Sequence, residues 1–384
     1  MNPSVTPPVH GEGFRISRDA TTSRRPGRIG GLAVAAALLF SACSSGASSG
    51  FTAAPVTSSA PTAAPTPSAV ATVAPTPSPS PVAIFPLTLR DDAGNQVVLK
   101  AQPKKIVSLT PAVTETLFAI GVGDRLVADG DFDDYPAQVK SLPHVATYSS
   151  VDVEKIVGLG ADLVIAGGNG FNKPDAIKQL QGLGIPVLVV YAPDVAGVLS
   201  DINLIGDAVG DGSSARQLTA SMQSGIDAIR SATASLPQPR TFYELDATKD
   251  IYGPAPDSFL AQEIQYAGGN PITTGDPAIF SIPLEKLIAA DPQVIVLGDS
   301  AYGTTAAIVA ARPGWKVMTA VRNGAIEPID DLVVSRPGPR LVDGLRLLAL
   351  AIHPDLVLPP LGSAAPSGSP ASSGSPAPSG SPTP

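Results

Sequence analysis

The residues best suited to meet a ligand are rings carried on loops. Phe132 in DGDFDDYP, Tyr148 in ATYSS, Tyr191, Tyr252 in DIYGP and Phe280 each follow a predicted strand. With them go the turn Thr110-Pro111, the glycine-rich loop at 167–170, and Arg336 in SRPGPR. Aromatic side chains bring a large contact area with little loss of side-chain freedom, so such a set suits the burial of a large flat ligand. Any one of these rings alone is equally consistent with core packing. Their shared place after strands singles out the group, because open α/β sheets bind ligands beyond the carboxyl ends of their strands. Arg336 or Arg340 offers a partner for an anionic group, or simply pairs within its own lobe.

Covalent chemistry is not legible. There is no HExxH, no Gly-x-Ser-x-Gly elbow and no Walker lysine. The stretch at 121–126 (GVGDRL) follows a helical pattern rather than a strand, which argues against a dinucleotide loop. His144 and His353 are too few and too far apart for a zinc cage, so no metal site is expected. His353 before Pro354 reads as a helix C-terminal cap. His144 stays open between a ligand contact, such as a haem ligand, and a surface histidine. The single cysteine, Cys43, excludes an intrachain disulfide and a cysteine-held cluster enzyme. The chain is therefore expected to be no enzyme and to carry no cofactor.

Loops at strand ends need strands to hold them. Residues 87–90 and 96–100 flank DDAGN and read as a hairpin. Residues 105–109, 126–128, 163–166, 187–190, 241–245, 294–297 and 325–329 read as buried strands. Between them helical patterns recur at 113–120, 177–183, 258–267, 284–289 and 340–352. Thr110 is a natural N-cap with Pro111 at the first helical position. Two stretches repeat without a gap: 153–168 (VEKIVGLGADLVIAGG) and 284–299 (LEKLIAADPQVIVLGD). Each runs a short helix into a fully apolar strand, as in a parallel sheet covered on both faces. Between the copies, residues 212–237 place Ala215, Leu218, Met222, Ile226 and Ile229 on one helical stripe. Asp211, Ser213 or Ser214 can cap its start, and Pro237 ends it. The expected fold class is α/β, with two Rossmann-like lobes, each a mostly parallel sheet flanked by helices, joined by one long α-helix acting as a rigid strut.

The chain ends do not belong to that fold. Residues 44–85 and 362–384 are dominated by Ser, Thr, Ala, Pro and Gly and cannot bury enough apolar surface to order themselves. Arg24, Arg25 and Arg28 precede an apolar run at 29–42 of signal-peptide length. It ends Leu39-Phe40-Ser41-Ala42-Cys43, which resembles a bacterial lipobox with Phe40 in place of the usual leucine. The expected organisation is a lipoprotein signal peptide at 1–43 and a tether at 44–85. An N-terminal lobe at 86–211, a connecting helix at 212–237, a C-terminal lobe at 238–361 and a tail at 362–384 follow. The expected lipid on Cys43 anchors the chain to the outer face of the cell membrane, the alternative being ordinary secretion with Cys43 incidental. A net charge of -8 argues against a nucleic-acid partner.

The segments DDAGNQVVLKAQPKKIVSLTPAVTETLFAIGVGDRLVADGDFDDYP, LEKLIAADPQVIVL, ARPGWKVMTAVRNGAIEPID and SRPGPRLVDGLRLLALAIHPD resemble the ABC-transporter solute-binding proteins for cobalamin, ferric siderophores and haem. The resemblance covers roughly residues 86–357 and is nearest to the cobalamin-binding branch. It implies the class III periplasmic-binding fold with little hinge closure. It also implies a corrinoid or iron-chelate ligand held between the lobes, and a monomer that delivers it to ABC permease and ATPase subunits. Ligand contacts then fall at Thr110, Pro111, Phe132, Tyr148 and Tyr252, and permease docking at one acid per lobe, Asp175 and Asp299. The chain departs from the family in lacking cleft tryptophans. Trp315 sits where the family packs its second lobe, and Gly167 occupies a place that can carry a large aromatic. A siderophore or haem receptor is the alternative within the family, with Tyr148 or His144 available to iron. A cell-surface structural protein is the alternative outside it.

Overall fold

The computed structural model describes residues 84–360. The signal peptide, Cys43, the tether through residue 83 and the tail beyond residue 360 lie outside the described residues.

The described chain opens with an antiparallel hairpin, β1 (Leu87–Arg90) and β2 (Gln96–Leu99). Its turn acids also fasten it to the first lobe. Asp91 accepts from the Asn95 amide at 2.7 Å and from the Val189 amide at 3.2 Å, and Asp92 accepts from the Tyr191 amide at 2.7 Å. The first sheet contains β3 (Ile106–Ser108), β4 (Leu126–Gly130), β5 (His144–Ala146), β6 (Leu163–Gly167) and β7 (Val187–Val190). All neighbours are parallel, in the order β5-β4-β3-β6-β7. Helices α1 (Pro111–Ala119), α2 (Val153–Leu159), α3 (Pro174–Gly182) and α4 (Val195–Ala208) connect and cover it, and α5 (Gly212–Thr233) leaves the lobe.

The second sheet contains β8 (Arg240–Glu244), β9 (Asn270–Pro271), β10 (Val294–Leu297) and β11 (Ile326–Pro328), parallel throughout in the order β11-β10-β8-β9. Its helices are α6 (Phe259–Tyr266), α7 (Leu284–Ala290), α8 (Ala306–Ala311), α9 (Thr319–Asn323), α10 (Asp331–Val334) and α11 (Leu341–Ile352). Both sheets start at a central strand, β3 or β8, add the next strand on one side, then cross to the other. The strand order thus reverses between β3 and β6 and again between β8 and β10. The sequence repeat falls on α2-β6 and α7-β10. Both helices end on a left-handed residue at the same repeat position, Gly160 at φ 68° and Asp291 at φ 45°. Asp291 is held in that conformation by Thr319, whose amide and hydroxyl donate to its carboxylate at 2.7 and 2.9 Å.

Helix α5 buries Ala215, Met222, Ile226 and Ile229, while Leu218 is only half-buried. Asp211 precedes it, but the Asp211 carboxylate accepts from the Ser214 hydroxyl at 2.8 Å instead of from a helix amide. On one side α5 lies so close to α4 that a Cβ on Gly206 would stand 2.3 Å from Ala215 Cβ. On the other, a Cβ on Gly225 of α5 would stand 2.6 Å from Val342 Cγ1 of α11. The helix therefore does not hold two halves apart as a bare strut. One continuous apolar cluster runs from Ile106 and Leu163 through Ile202, Ile205, Met222, Ile226 and Ile229 to Tyr243, Leu345 and Leu348. Two smaller clusters fill the opposite sheet faces, and Trp315 packs in the second lobe's.

Candidate functional site

The carboxyl-terminal edges of the two sheets carry most of the predicted residues. In the first lobe, the loops after β3 and β6 meet at the reversal of strand order. Thr110 caps α1 there, accepting from the Val113 amide at 3.3 Å, and is buried. Its hydroxyl thus serves the helix and is not presented to a ligand, while Pro111 begins α1 and stays half-buried. Asn172 ties the two loops together. Its carbonyl accepts from the Gly167 amide at 2.7 Å, and its amide donates to the Leu109 carbonyl at 3.3 Å. Phe171 then folds back over Gly167, where an added Cβ would lie 3.1 Å from Phe171 Cδ1 and 2.7 Å from Thr110 Cγ2. Gly167 is glycine because Phe171 and Thr110 occupy the space above it. Phe171 is half-exposed and was not among the sequence candidates.

Beside this reversal, Phe132 and Tyr148 form an edge-to-face pair, with centroids 6.3 Å apart and planes at 85°. Phe132 is 51% exposed and Tyr148 72%. Tyr191 follows β7 and is also exposed. In the second lobe, Tyr252 and Phe280 are brought together. Residue 252 bridges residue 281, and the Gly253 amide donates to the Phe280 carbonyl at 2.9 Å. Both rings are exposed. Continued past Gly167 and Gly298 without a gap, the sequence repeat sets Phe171 against Tyr302. Tyr302 is 83% exposed, in the turn after β10. The extension of the repeat was the signal that could have found both.

Arg336 does not offer its guanidinium to a ligand, and the carboxylate partners of both Arg336 and Arg340 lie in the first lobe, although Arg340 also donates to the Leu332 carbonyl of its own lobe at 3.3 Å. Arg336 reaches from the second lobe to Glu115 Oε1 at 3.0 Å, Asp134 Oδ1 at 2.5 Å and the Phe132 carbonyl at 3.3 Å. Arg340 binds both oxygens of Glu115, at 2.8 and 2.6 Å, and stacks 4.5 Å from the Tyr135 ring centroid. Glu115 is buried, with its side chain 1% exposed. A buried carboxylate needs full charge and hydrogen-bond compensation, which two guanidiniums supply. For Arg336, burial works against the charge, but hydrogen bonds to Asp134 and Glu115 outweigh it and raise its pKa. Hydrogen bonding to Glu115 does the same for Arg340. These contacts bring the carboxyl-terminal edges of the two sheets together at the loop that carries Phe132.

The same loop holds a buried acid. Asp133 Oδ2 accepts from the Gly130 amide at 3.1 Å, and the Thr114 side chain also lies against this carboxyl. Burial, helped by the nearby Asp129 charge, pushes Asp133 up to about 7. Asp129 is fully buried and pairs with His144 Nδ1 at 2.7 Å. His144 is therefore neither a loop residue nor a bare surface histidine: it lies on β5, partly exposed, with one ring nitrogen engaged. His353 caps α11, as its position before Pro354 indicates, and its Nε2 lies 3.2 Å from the Gly268 carbonyl.

The two docking candidates differ in exposure. Asp175 is exposed in the first turn of α3. Asp299 is 5% exposed and accepts from the Thr304 hydroxyl at 2.7 Å, which removes it from any docking surface. It lies at the second lobe's strand reversal, beside Glu244, which takes Arg312 bidentately at 2.6 and 2.8 Å. A cavity of about 390 Å³ lies elsewhere on this lobe, between Ser300, Glu327, Asp330 and the Leu347–Leu350 side of α11, and none of the ring residues lines it. Among the described residues no cluster of three His, Cys, Asp or Glu is arranged to hold a metal, and no helix is long and apolar enough to cross a membrane.

This architecture is that of a two-domain α/β binding protein. Residues 106–331 match the family model described as periplasmic binding protein. The chain is 35% identical to the uncharacterized ABC transporter substrate-binding lipoprotein YvrC of Bacillus subtilis, over 71% of this chain and 87% of that one. It is 29% identical to a cobalamin-binding protein of Halobacterium salinarum, over 70% of this chain and 74% of that one. The structure of the periplasmic heme-binding protein RhuT from Roseiflexus sp. RS-1 superposes with a TM-score of 0.58 at 26% identity, covering 65% of this chain and 98% of that one. The chain belongs to the periplasmic binding protein family, and it is a binding protein rather than an enzyme.

Proposed function

We propose that the chain is the lipid-anchored substrate-binding component of an ABC importer that captures a corrinoid of the cobalamin type. The ligand sits between the carboxyl-terminal edges of the two sheets and passes to the permease and ATPase subunits. The observation that carries this reading is the set of exposed rings at both edges: Phe132, Tyr148, Phe171 and Tyr191 from one lobe, Tyr252, Phe280 and Tyr302 from the other. Large aromatic faces at a strand-order reversal are where an α/β fold buries a flat ligand. The relative named for cobalamin supports the choice of ligand. Acylation at Cys43 supplies the anchor, and Asp175 is the first lobe's docking acid.

The test is a titration of the purified chain with cyanocobalamin, haemin and ferric siderophores, followed by calorimetry and absorbance. Saturable one-to-one binding of cyanocobalamin supports the corrinoid reading. A Soret shift with haemin that disappears in Tyr148→Ala, without corrinoid binding, replaces it by a haem receptor. Labelling with a radioactive fatty acid, lost in Cys43→Ala, tests the anchor.

A further inference from the structure

We infer that Asn172 is a positioning residue for the ligand: it makes no contact with the ligand and acts by holding the Phe171 ring at the first lobe's strand reversal. The inference rests on the proposed site between the two carboxyl-terminal edges.

Strand β6 ends at Gly167, and the chain must turn before it enters α3 at Pro174. Asn169 and Gly170 make the turn at φ 51° and 81°, and the Phe171 amide closes it by donating to the Gly168 carbonyl at 3.1 Å. Such a turn fixes its own four residues but not the direction in which the loop leans. Asn172 sets that direction. Its side-chain carbonyl accepts from the Gly167 amide at 2.7 Å, and its backbone amide donates back to the Gly167 carbonyl at 3.3 Å, so residues 167 and 172 are joined twice. Its side-chain amide donates to the Leu109 carbonyl at 3.3 Å, in the loop after β3. With the loop so placed, Phe171 stands over Gly167 and remains 51% exposed.

The position asks for an acceptor and a donor on one short side chain, which is what asparagine carries. Asn172 is 4% exposed, so solvent does not take over these bonds when the side chain is cut back.

The second lobe supplies the contrast. Continued in register, the repeat that sets Phe171 against Tyr302 sets Asn172 against Gly303. Gly303 lies at φ 101°, with no atom within 4 Å of where a Cβ would stand. Tyr302 therefore has no side chain behind it to tie its turn down, and it stands 83% exposed. The ring followed by a buried asparagine is seated, and the ring followed by glycine is not. A side chain that commits both ends of its amide to the loop beneath a ring preorganises that ring for binding.

The experiment is a double-mutant cycle on the full chain with Asn172→Ala and Phe171→Ala, read by calorimetric titration with cyanocobalamin and, in parallel, with haemin. Asn172→Ala alone should weaken binding of the probe that the wild type takes by roughly fivefold. In the Phe171→Ala background the same change should cost less than about twofold, because the ring through which it acts is gone. Urea midpoints of the four chains separate this from a fold defect: Asn172→Ala should lower the midpoint equally in both backgrounds, although its effect on affinity differs. The cycle is repeated with Asn172→Asp, a milder change that keeps the shape and the acceptor, and the same coupling to Phe171 is expected. Equal affinity losses in the two backgrounds, or affinity unmoved by either substitution at 172, overturn the inference while leaving the binding site in place. Failure of the wild type to bind either probe overturns the site itself, and the inference with it.

Discussion

The two lobes are joined in two chemically opposite ways. Along α5 the join is apolar and close-packed, with Gly206 and Gly225 marking the points of nearest approach. At the carboxyl-terminal edges it is ionic, with two arginines of the second lobe gripping Glu115 and Asp134 of the first. The apolar join makes the lobes one body. The ionic join does something else: through the Phe132 carbonyl and Tyr135 it fixes the loop that carries Phe132, a ring of the proposed site. One join sets stability, and the other sets the shape of the site.

Removing apolar volume from the first join should have the largest effect. Ile226→Ala in α5 is expected to cost roughly 4 kcal/mol, the transfer of a buried side chain plus the cavity it leaves. Urea unfolding should stay a single transition, because the apolar cluster that is weakened belongs to both lobes. Two separated transitions would mean that the lobes are independent and that the comparison is wrong. Glu115→Gln attacks the other join. It leaves Arg340 without a carboxylate and Arg336 with Asp134 alone, and roughly 3 kcal/mol should be lost. Added salt should recover part of that loss, since it screens like charges, whereas it should recover none of the loss in Ile226→Ala.

This contrast also explains what could be read from the sequence. The strands, the Thr110-Pro111 helix start, the repeat and the α5 stripe are local patterns, and each appears within a residue or two of its expected place, but α5 itself ends at Thr233, four residues short of Pro237. Helix α4 had no such expectation, although it is the main apolar partner of α5. Val195, Val198, Ile202 and Ile205 do keep helical spacing, but Gly197 and Gly206 interrupt the pattern with poor helix formers. Gly206 is there for contact with Ala215 across the turn between α4 and α5, where no single helical period relates the two positions. The ionic join was illegible for a related reason. Glu115 and Arg336 lie 221 residues apart, and neither has a neighbour in sequence that betrays the other. Asp299 misled in the opposite direction, because an acid after an apolar strand looks like surface until the fold buries it.

A pH scan sharpens the distinction between the joins. Asp133 sits in the clamped loop, raised to about 7 chiefly by burial. The folded state therefore holds a proton that the unfolded chain releases near its ordinary value of 3.8. The contribution of this group is fully present below about pH 4 and is lost as pH rises to about 7, with a slope of at most about 1.4 kcal/mol per pH unit. Asp133→Asn should flatten that part of the stability curve, read from urea midpoints between pH 4 and 8. Asp201 is raised to about 8, by burial and by Asp92, and its loss continues to correspondingly higher pH. An unchanged slope in Asp133→Asn would show that this carboxyl is ionised throughout.

The smallest effects should separate the two edges themselves. Phe171 and Tyr302 occupy matching places in the repeat, but their surroundings differ. Phe171 packs over Gly167, so one edge of its ring is seated before a ligand arrives. Tyr302 has no such seat: the space above Gly298 is filled by Tyr243, and Tyr302 stands 83% exposed. A ring already held loses less freedom on binding and returns more of its contact energy. Phe171→Ala should therefore weaken cyanocobalamin binding roughly tenfold, and Tyr302→Ala only about twofold to threefold. Calorimetry on the two variants and the double variant reads both values and their coupling. Equal losses would mean that the edges serve the ligand alike. A larger loss at Tyr302 would mean that the ligand itself orders that turn, and that the second lobe, not the first, closes around it.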